Sequence, residues 1–155
     1  MTPAAHELRM HRLALSVQYA ARSGRLPSPR QFRRWVSMAL LEDANVTLRI
    51  VGKSEGRRLN HEFRGKNQAT NVLTFPYREQ RPLAGDIVLC APIVRQEAQA
   101  QRVDLIAHYA HLVVHGVLHL QGYDHERAAA AEVMESLESE IVTQLGYPDP
   151  YAVHV

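Results

Sequence analysis

The chain is 155 residues long, 46% hydrophobic and 22% charged with a net charge of +2, the make-up of a globular domain with one core. No stretch approaches the ~18 uninterrupted apolar residues of a membrane-spanning helix, and charges interrupt MTPAAHELRMHRL where a secretory leader needs its apolar segment. The single cysteine, Cys90, excludes an internal disulfide, so one cytoplasmic domain over residues 1–155 is expected.

RLALSVQYA (12–20) places Leu13, Leu15, Val17 and Tyr19 on one face, the period of a half-buried strand. GRLPSPRQ breaks the chain. Ser28 as cap and Pro29 at the first helical position then open a helix expected to run to about Glu42, with Phe32, Trp35, Val36, Ala39 and Leu40 as its apolar stripe. NVTLRIVG (45–52) alternates again and predicts a second strand. Ser54 is expected to cap a short helix through Leu59 and Phe63. NVLTFPY (71–77) and GDIVLCAP (85–92) predict two further strands, with Gly85 and Asp86 turning the chain into the second.

Pro92 starts another helical stretch, IVRQEAQAQ. From Asp104 a long helix, LIAHYAHLVVHGVLHLQ, is expected to stop at Gly122. A last helix, from about Glu126 to Leu145, should turn Val133, Leu137, Ile141 and Leu145 inward and keep an acidic face outside, until Gly146 and Pro148 end it. The pattern predicts an α+β fold, a small mixed β-sheet packed by helices. The helix from Asp104 is apolar nearly all round and is expected to be buried at the centre.

That helix carries the chemistry. His108, His111, His115 and His119 lie within about 80° of one another around its axis. A histidine on a buried face is costly unless it is hydrogen-bonded or bound to metal. His115 and His119 are four apart, so their rings project side by side, a spacing suited to two ligands of one ion. A left-handed turn at Gly122 brings His125 round to the same point. Three imidazoles and one open position make a catalytic zinc site, with nickel or another divalent ion also suited to nitrogen donors. His108 is expected to be structural, and so is His111, a turn before His115, with a role beside a ligand ring or against substrate as its alternative. Asp124 is expected to be a turn residue and the cap of the last helix, with a carboxylate orienting a ligand histidine as the functional alternative. The order HxxxHxxGxxH is similar to the metzincin peptidase segment HExxHxxGxxH, whose glutamate is the general base. Gly116 stands at that position and has no side chain to serve.

The segment HGVLHLQGYDH (115–125) as a whole resembles the signature of the YbeY family of bacterial endoribonucleases. LNHEFRGKNQATNVLTFP (59–76), LAGDIVL (83–89) and LGYPDPY (145–151) resemble further segments of that family, so the likeness covers Leu59 to the end of the chain. Asn67, Ala69 and Thr74 depart from the Asp, Pro and Ser usual there. The resemblance implies an α+β metalloprotein with zinc on His115, His119 and His125. It also implies single-strand-specific RNA cleavage, 16S rRNA 3′-end maturation and ribosome quality control, with the small ribosomal subunit and its protein factors as partners. The family's arginine falls on Arg64.

Phosphodiester cleavage needs a nucleophile, stabilisation of charge on the phosphoryl oxygens and help for the leaving group. Arg64 is the candidate for the second, because guanidinium grips phosphate bidentately. Lys66 is a candidate backbone contact, together with Arg57 and Arg58. Residues 1–66 hold 13 Lys/Arg against 5 Asp/Glu, and residues 67–155 hold 5 against 11. Such a basic half suits a phosphate backbone, or simply disperses over the folded surface. No general base accompanies the histidines. The product ends identify the nucleophile: a 2′,3′-cyclic phosphate assigns attack to the RNA 2′-hydroxyl, a 5′-phosphate to water. Two other functions are weighed against the nuclease: a non-catalytic ribosome-assembly factor with a structural metal, and a small peptidase, against which Gly116 argues.

Overall fold

In a computed structural model, residues 11–21, 24–77, 81–124 and 126–152 are described. His125 and the first ten residues lie outside them. Four strands, β1 (Leu13–Tyr19), β2 (Ala44–Val51), β3 (Val72–Tyr77) and β4 (Leu83–Cys90), form one sheet in the order β1-β2-β4-β3. β1, β2 and β4 run parallel, and β3 closes the edge antiparallel to β4. The helices are α1 (Pro29–Ala39), α2 (Lys53–Arg64), α3 (Ala91–Gln101), α4 (Leu105–Leu120) and α5 (Ala128–Gln144). The expected small mixed sheet with helices on it is the fold observed, and no single helix among the described residues is long and apolar enough to cross a membrane.

The period-two pattern of the strands decides what lies on each side. Leu13, Leu15, Val17 and Tyr19 of β1, Val46, Leu48 and Ile50 of β2, and Ile87 and Leu89 of β4 share one face with Phe32, Trp35, Val113 and Val117 in the main core. α1 and α4 cover that face, and α5 packs on the outer side of α4. The other face carries a smaller cluster of Val51, Leu73, Val88 and Cys90, packed by Leu59, Phe75 and Ile93. α2 therefore sits across the sheet from α4.

Local signals account for most helix ends. Ser28 Oγ accepts from Gln31 N at 3.1 Å while Gln31 Oε1 accepts from Ser28 N at 2.9 Å, a reciprocal capping box. α1 stops at Ala39, short of Glu42, because Leu40 turns extended. α2 begins two residues earlier than expected, with Gly52 as its cap, so Ser54 lies inside the first turn and caps nothing. Gly85 and Asp86 do not form a turn; both lie within β4, which starts at Leu83.

The last helix is rotated from the expected orientation. α5 buries Met134, Glu138 and Val142, while Val133 is 55% exposed. Leu137, Ile141 and Leu145 do pack on the core. The inward stripe thus includes an acidic residue that composition had assigned to the solvent face.

Gly85 sets the height of α4 over the sheet. A Cβ there would lie 2.6 Å from Leu120 Cδ2 and 3.1 Å from the Phe75 carbonyl oxygen. Gly85→Ala is therefore expected to overpack the C-terminal end of α4 and to cost about 1–3 kcal/mol. Urea unfolding with an unchanged slope and a lower midpoint is the expected reading.

Candidate metal centre on the central helix

α4 starts at Asp104, whose carboxylate accepts from Ala107 N at 3.1 Å, and its interior is buried as expected of a central helix. It ends in a Schellman turn: Tyr123 N donates to the Leu118 carbonyl at 3.2 Å, Gly122 N donates to that of His119 at 3.0 Å, and Gly122 takes φ +100°. That turn delivers the Tyr123 carbonyl to His119 Nδ1 at 2.9 Å. Asp124 accepts from Glu126 N at 2.9 Å, so it is a turn residue, while Arg127 rather than Asp124 occupies the cap position of α5.

His115 and His119 come together as the spacing predicts, with parallel rings 6.3 Å apart and 9° between planes. His115 Nδ1 lies 3.3 Å from Glu138 Oε2. A carbonyl and a carboxylate can only accept, so both Nδ1 atoms donate and each neutral ring carries its lone pair on Nε2. This is the tautomer a metal-binding imidazole requires, and a hydrogen-bonded second nitrogen is its usual companion. The donor set therefore fits a zinc ion at His115 and His119. The third predicted ligand, His125, lies outside the described residues, and among those residues no group of three His, Cys, Asp or Glu forms a metal-binding set.

Glu138 is the residue that sequence reasoning missed. Its side chain is 1% exposed, yet it takes three donors: His111 Nε2 at 2.7 Å, Tyr151 Oη at 2.9 Å and His115 Nδ1 at 3.3 Å. Burial alone would raise its pKa, but the hydrogen bonds from His111 and His115 prevail and hold it down to about 2. Tyr151 is pushed up from the ordinary phenol value by burial and by the adjacent Glu138 charge. The Tyr151 ring arrives there because the chain doubles back after α5. Gly146 takes φ +96°, and Asp149 Oδ1 accepts from Ser139 Oγ at 2.7 Å and Tyr151 N at 2.9 Å. The signal available in sequence was spacing: Met134, Glu138 and Val142 recur every four residues.

Of the other two histidines on α4, His108 is structural, as expected, while His111 shares the Glu138 carboxylate with His115. His108 Nε2 pairs with Glu97 Oε1 at 2.9 Å, and Glu97 also accepts from Asn71 Nδ2 at 3.0 Å, which fixes the start of β3. Asn71 and Glu97, together with His108, His111 and Tyr151, line a pocket of about 440 Å³ beside the N-terminal half of α4.

Arg64 and Lys66 lie at the C-terminal end of α2 and just beyond it, exposed, and Arg64 has no hydrogen-bond or ion-pair partner among the described residues. α2 sits on the opposite sheet face from α4, so these residues are not brought against His115 and His119; the loop from Gly65 to Asn71 leads from them to the β3 edge. Asn67 accepts from Arg57 Nε at 2.9 Å, a neutral contact where a carboxylate would give an ion pair. Phe75 is half-buried against the smaller cluster and packs edge-on to the exposed Phe63 at 5.1 Å, while Cys90 is buried.

Gly116 faces the sheet. A Cβ there would lie 3.2 Å from Ile87 Cδ1 and Cγ2 and 3.4 Å from Thr74 Cγ2. The position that holds a catalytic glutamate in metzincins is here the contact point between helix and sheet.

Comparison with known proteins adds an independent line. The family profile described as Endoribonuclease YbeY matches residues 28–146. The Endoribonuclease YbeY of Nitrosomonas europaea is 60% identical over 141 residues, covering 91% of this chain and 86% of its own. That of Methylobacillus flagellatus is 57% identical over 143 residues, covering 92% and 96%. The solution structure of TM1509 from Thermotoga maritima superposes with a TM-score of 0.56 at 24% identity, over 90% of this chain and 99% of its own, and bears on the fold alone.

Proposed function

The chain belongs to the YbeY endoribonuclease family, and from that premise we propose that it is a zinc-dependent, single-strand-specific endoribonuclease of the cytoplasm. Its proposed task is 16S rRNA 3′-end maturation and ribosome quality control, with the small ribosomal subunit as partner. The observation that carries the metal reading is the pair of half-buried, parallel imidazoles whose Nδ1 atoms are both committed as donors.

His115, His119 and His125 would hold the ion. A zinc ion there would supply Lewis acidity for chemistry at the phosphodiester. The chain's own groups do the rest. Glu138 and the Tyr123 carbonyl keep the two ligand rings in one tautomer, and Arg64 grips a phosphate. Because Arg64 lies beyond the β3 edge, an RNA strand engaging both must cross that edge, which suits an extended single strand better than a duplex. Lys66 follows the same backbone as a charge contact.

The test is metal content and cleavage of single-stranded RNA by natively purified protein. Zinc present and cleavage lost on chelation, then restored by zinc, is the expected result; metal-free active protein overturns the reading. Arg64→Ala is expected to lower cleavage by about 100-fold, as loss of one charge-stabilising donor does, with zinc content unchanged.

A further inference from the structure

We propose that Glu138 is a positioning residue for the metal centre, and that the chain's C-terminal turn exists in part to hold it in place through Tyr151. The inference rests on the metal reading above and turns on Glu138, which none of the quoted sequence motifs includes.

A carboxylate buried to 1% exposure on a helix face packed in the core is expensive unless fully hydrogen-bonded. Glu138 meets that condition with donors from three directions. His111 Nε2 and Tyr151 Oη converge on Oε1, and His115 Nδ1 approaches Oε2. Oε1 anchors the carboxylate, and Oε2 is thereby aimed at a ligand ring. The division matters, because a carboxylate free to rotate would not select one rotamer and one tautomer of His115. An ionised acceptor on Nδ1–H also raises the electron density at Nε2, which strengthens that nitrogen as a ligand.

His119 uses a different device, a backbone carbonyl delivered by the Gly122 turn. A carbonyl dipole is a weaker polariser than a charge, so the two ligands are not equivalent: His115 is the one tuned by charge. The tail explains itself on the same basis. Asp149 brackets the turn after α5, accepting from Ser139 Oγ and Tyr151 N, and sets the Tyr151 hydroxyl 2.9 Å from Glu138. The ring of Tyr151 also stands edge-on to His111, 5.4 Å between centroids, closing the outer side of the carboxylate.

The experiment measures zinc affinity of the full chain by competition with a chromophoric chelator, for wild type, Glu138→Gln and Tyr151→Phe. Thermal unfolding of each metal-free protein is recorded in parallel. Glu138→Gln keeps the volume and removes the charge; zinc affinity is expected to fall about 10- to 100-fold, the usual cost of losing such a partner. Tyr151→Phe removes one hydroxyl from a ring that is 41% exposed, so the variant keeps its fold and serves if Glu138→Gln does not; its affinity is expected to fall several-fold in the same direction. Lower stability of the metal-free variants with zinc affinity at the wild-type level would mean a purely structural network and overturn the inference. Wild type that takes up no zinc would instead overturn the metal reading itself.

Discussion

Replacing His115 with alanine is expected to abolish RNA cleavage and leave the chain folded and depleted of zinc. Three consequences combine. One of three proposed ligands is removed, and the remaining imidazoles are a poor site for an ion that takes four donors. Loss of Lewis-acid stabilisation is worth several kcal/mol, and at about 1.4 kcal/mol per tenfold the rate falls at least about a thousandfold. Glu138 loses the donor on Oε2 but keeps His111 and Tyr151 on Oε1. The structural penalty is then that of one hydrogen bond to a charged group, about 1.5–3 kcal/mol, within what a folded domain tolerates. The measurements are cleavage of single-stranded RNA, zinc per chain and far-ultraviolet circular dichroism on the same preparation. Full cleavage by zinc-free, folded His115→Ala would mean that a contaminating nuclease is responsible, and would sink the mechanism.

The histidine geometry was legible in the sequence because a helix converts spacing directly into direction. Positions 115 and 119 on a helix have only one way to lie, and Gly122 announced the turn beyond them. The strands were legible for the same reason, since Leu13, Leu15, Val17 and Tyr19 can share a face only in extended chain. Glu138 was only faintly legible, through its spacing from Met134 and Val142, because the acidic residues of α5 have the same composition inside and outside the core. What buries one of them is a pair of histidines on another helix, 27 and 23 residues away. The rotation of α5 that exposes Val133 follows from that tertiary contact and is invisible to helical periodicity read from the leucines and isoleucine alone. Arg64 is the converse case. Its role came from the family resemblance and from the affinity of guanidinium for phosphate, neither of which fixes a position in space; strand alternation puts α2 across the sheet from α4, and the β3 edge connects the two.

The absent glutamate at position 116 has a physical cause that a further substitution exposes. Gly116→Glu, which would restore the peptidase order of residues, is expected to prevent folding rather than confer a new activity. The side chain would enter a contact where even its Cβ lies 3.2 Å from two atoms of Ile87 and 3.4 Å from the Thr74 methyl. Ile87 is fully buried in the middle of the sheet and cannot yield without moving β4, whose Gly85 already touches Leu120 of the same helix. Overpacking costs about 1–3 kcal/mol, and burying an unpaired carboxylate among methyl groups adds several more. Against a total stability of about 5–15 kcal/mol, little or no folded protein should remain. Gly116→Ala separates the two contributions: the methyl crowds Ile87, while alanine gains roughly 1 kcal/mol of helix propensity over glycine, so its midpoint should stay near wild type. The comparison is made by soluble yield and thermal unfolding. A Gly116→Glu protein with native unfolding behaviour and casein-cleaving activity would show that α4 presents position 116 to the metal rather than to the sheet, and would return the peptidase chemistry to consideration.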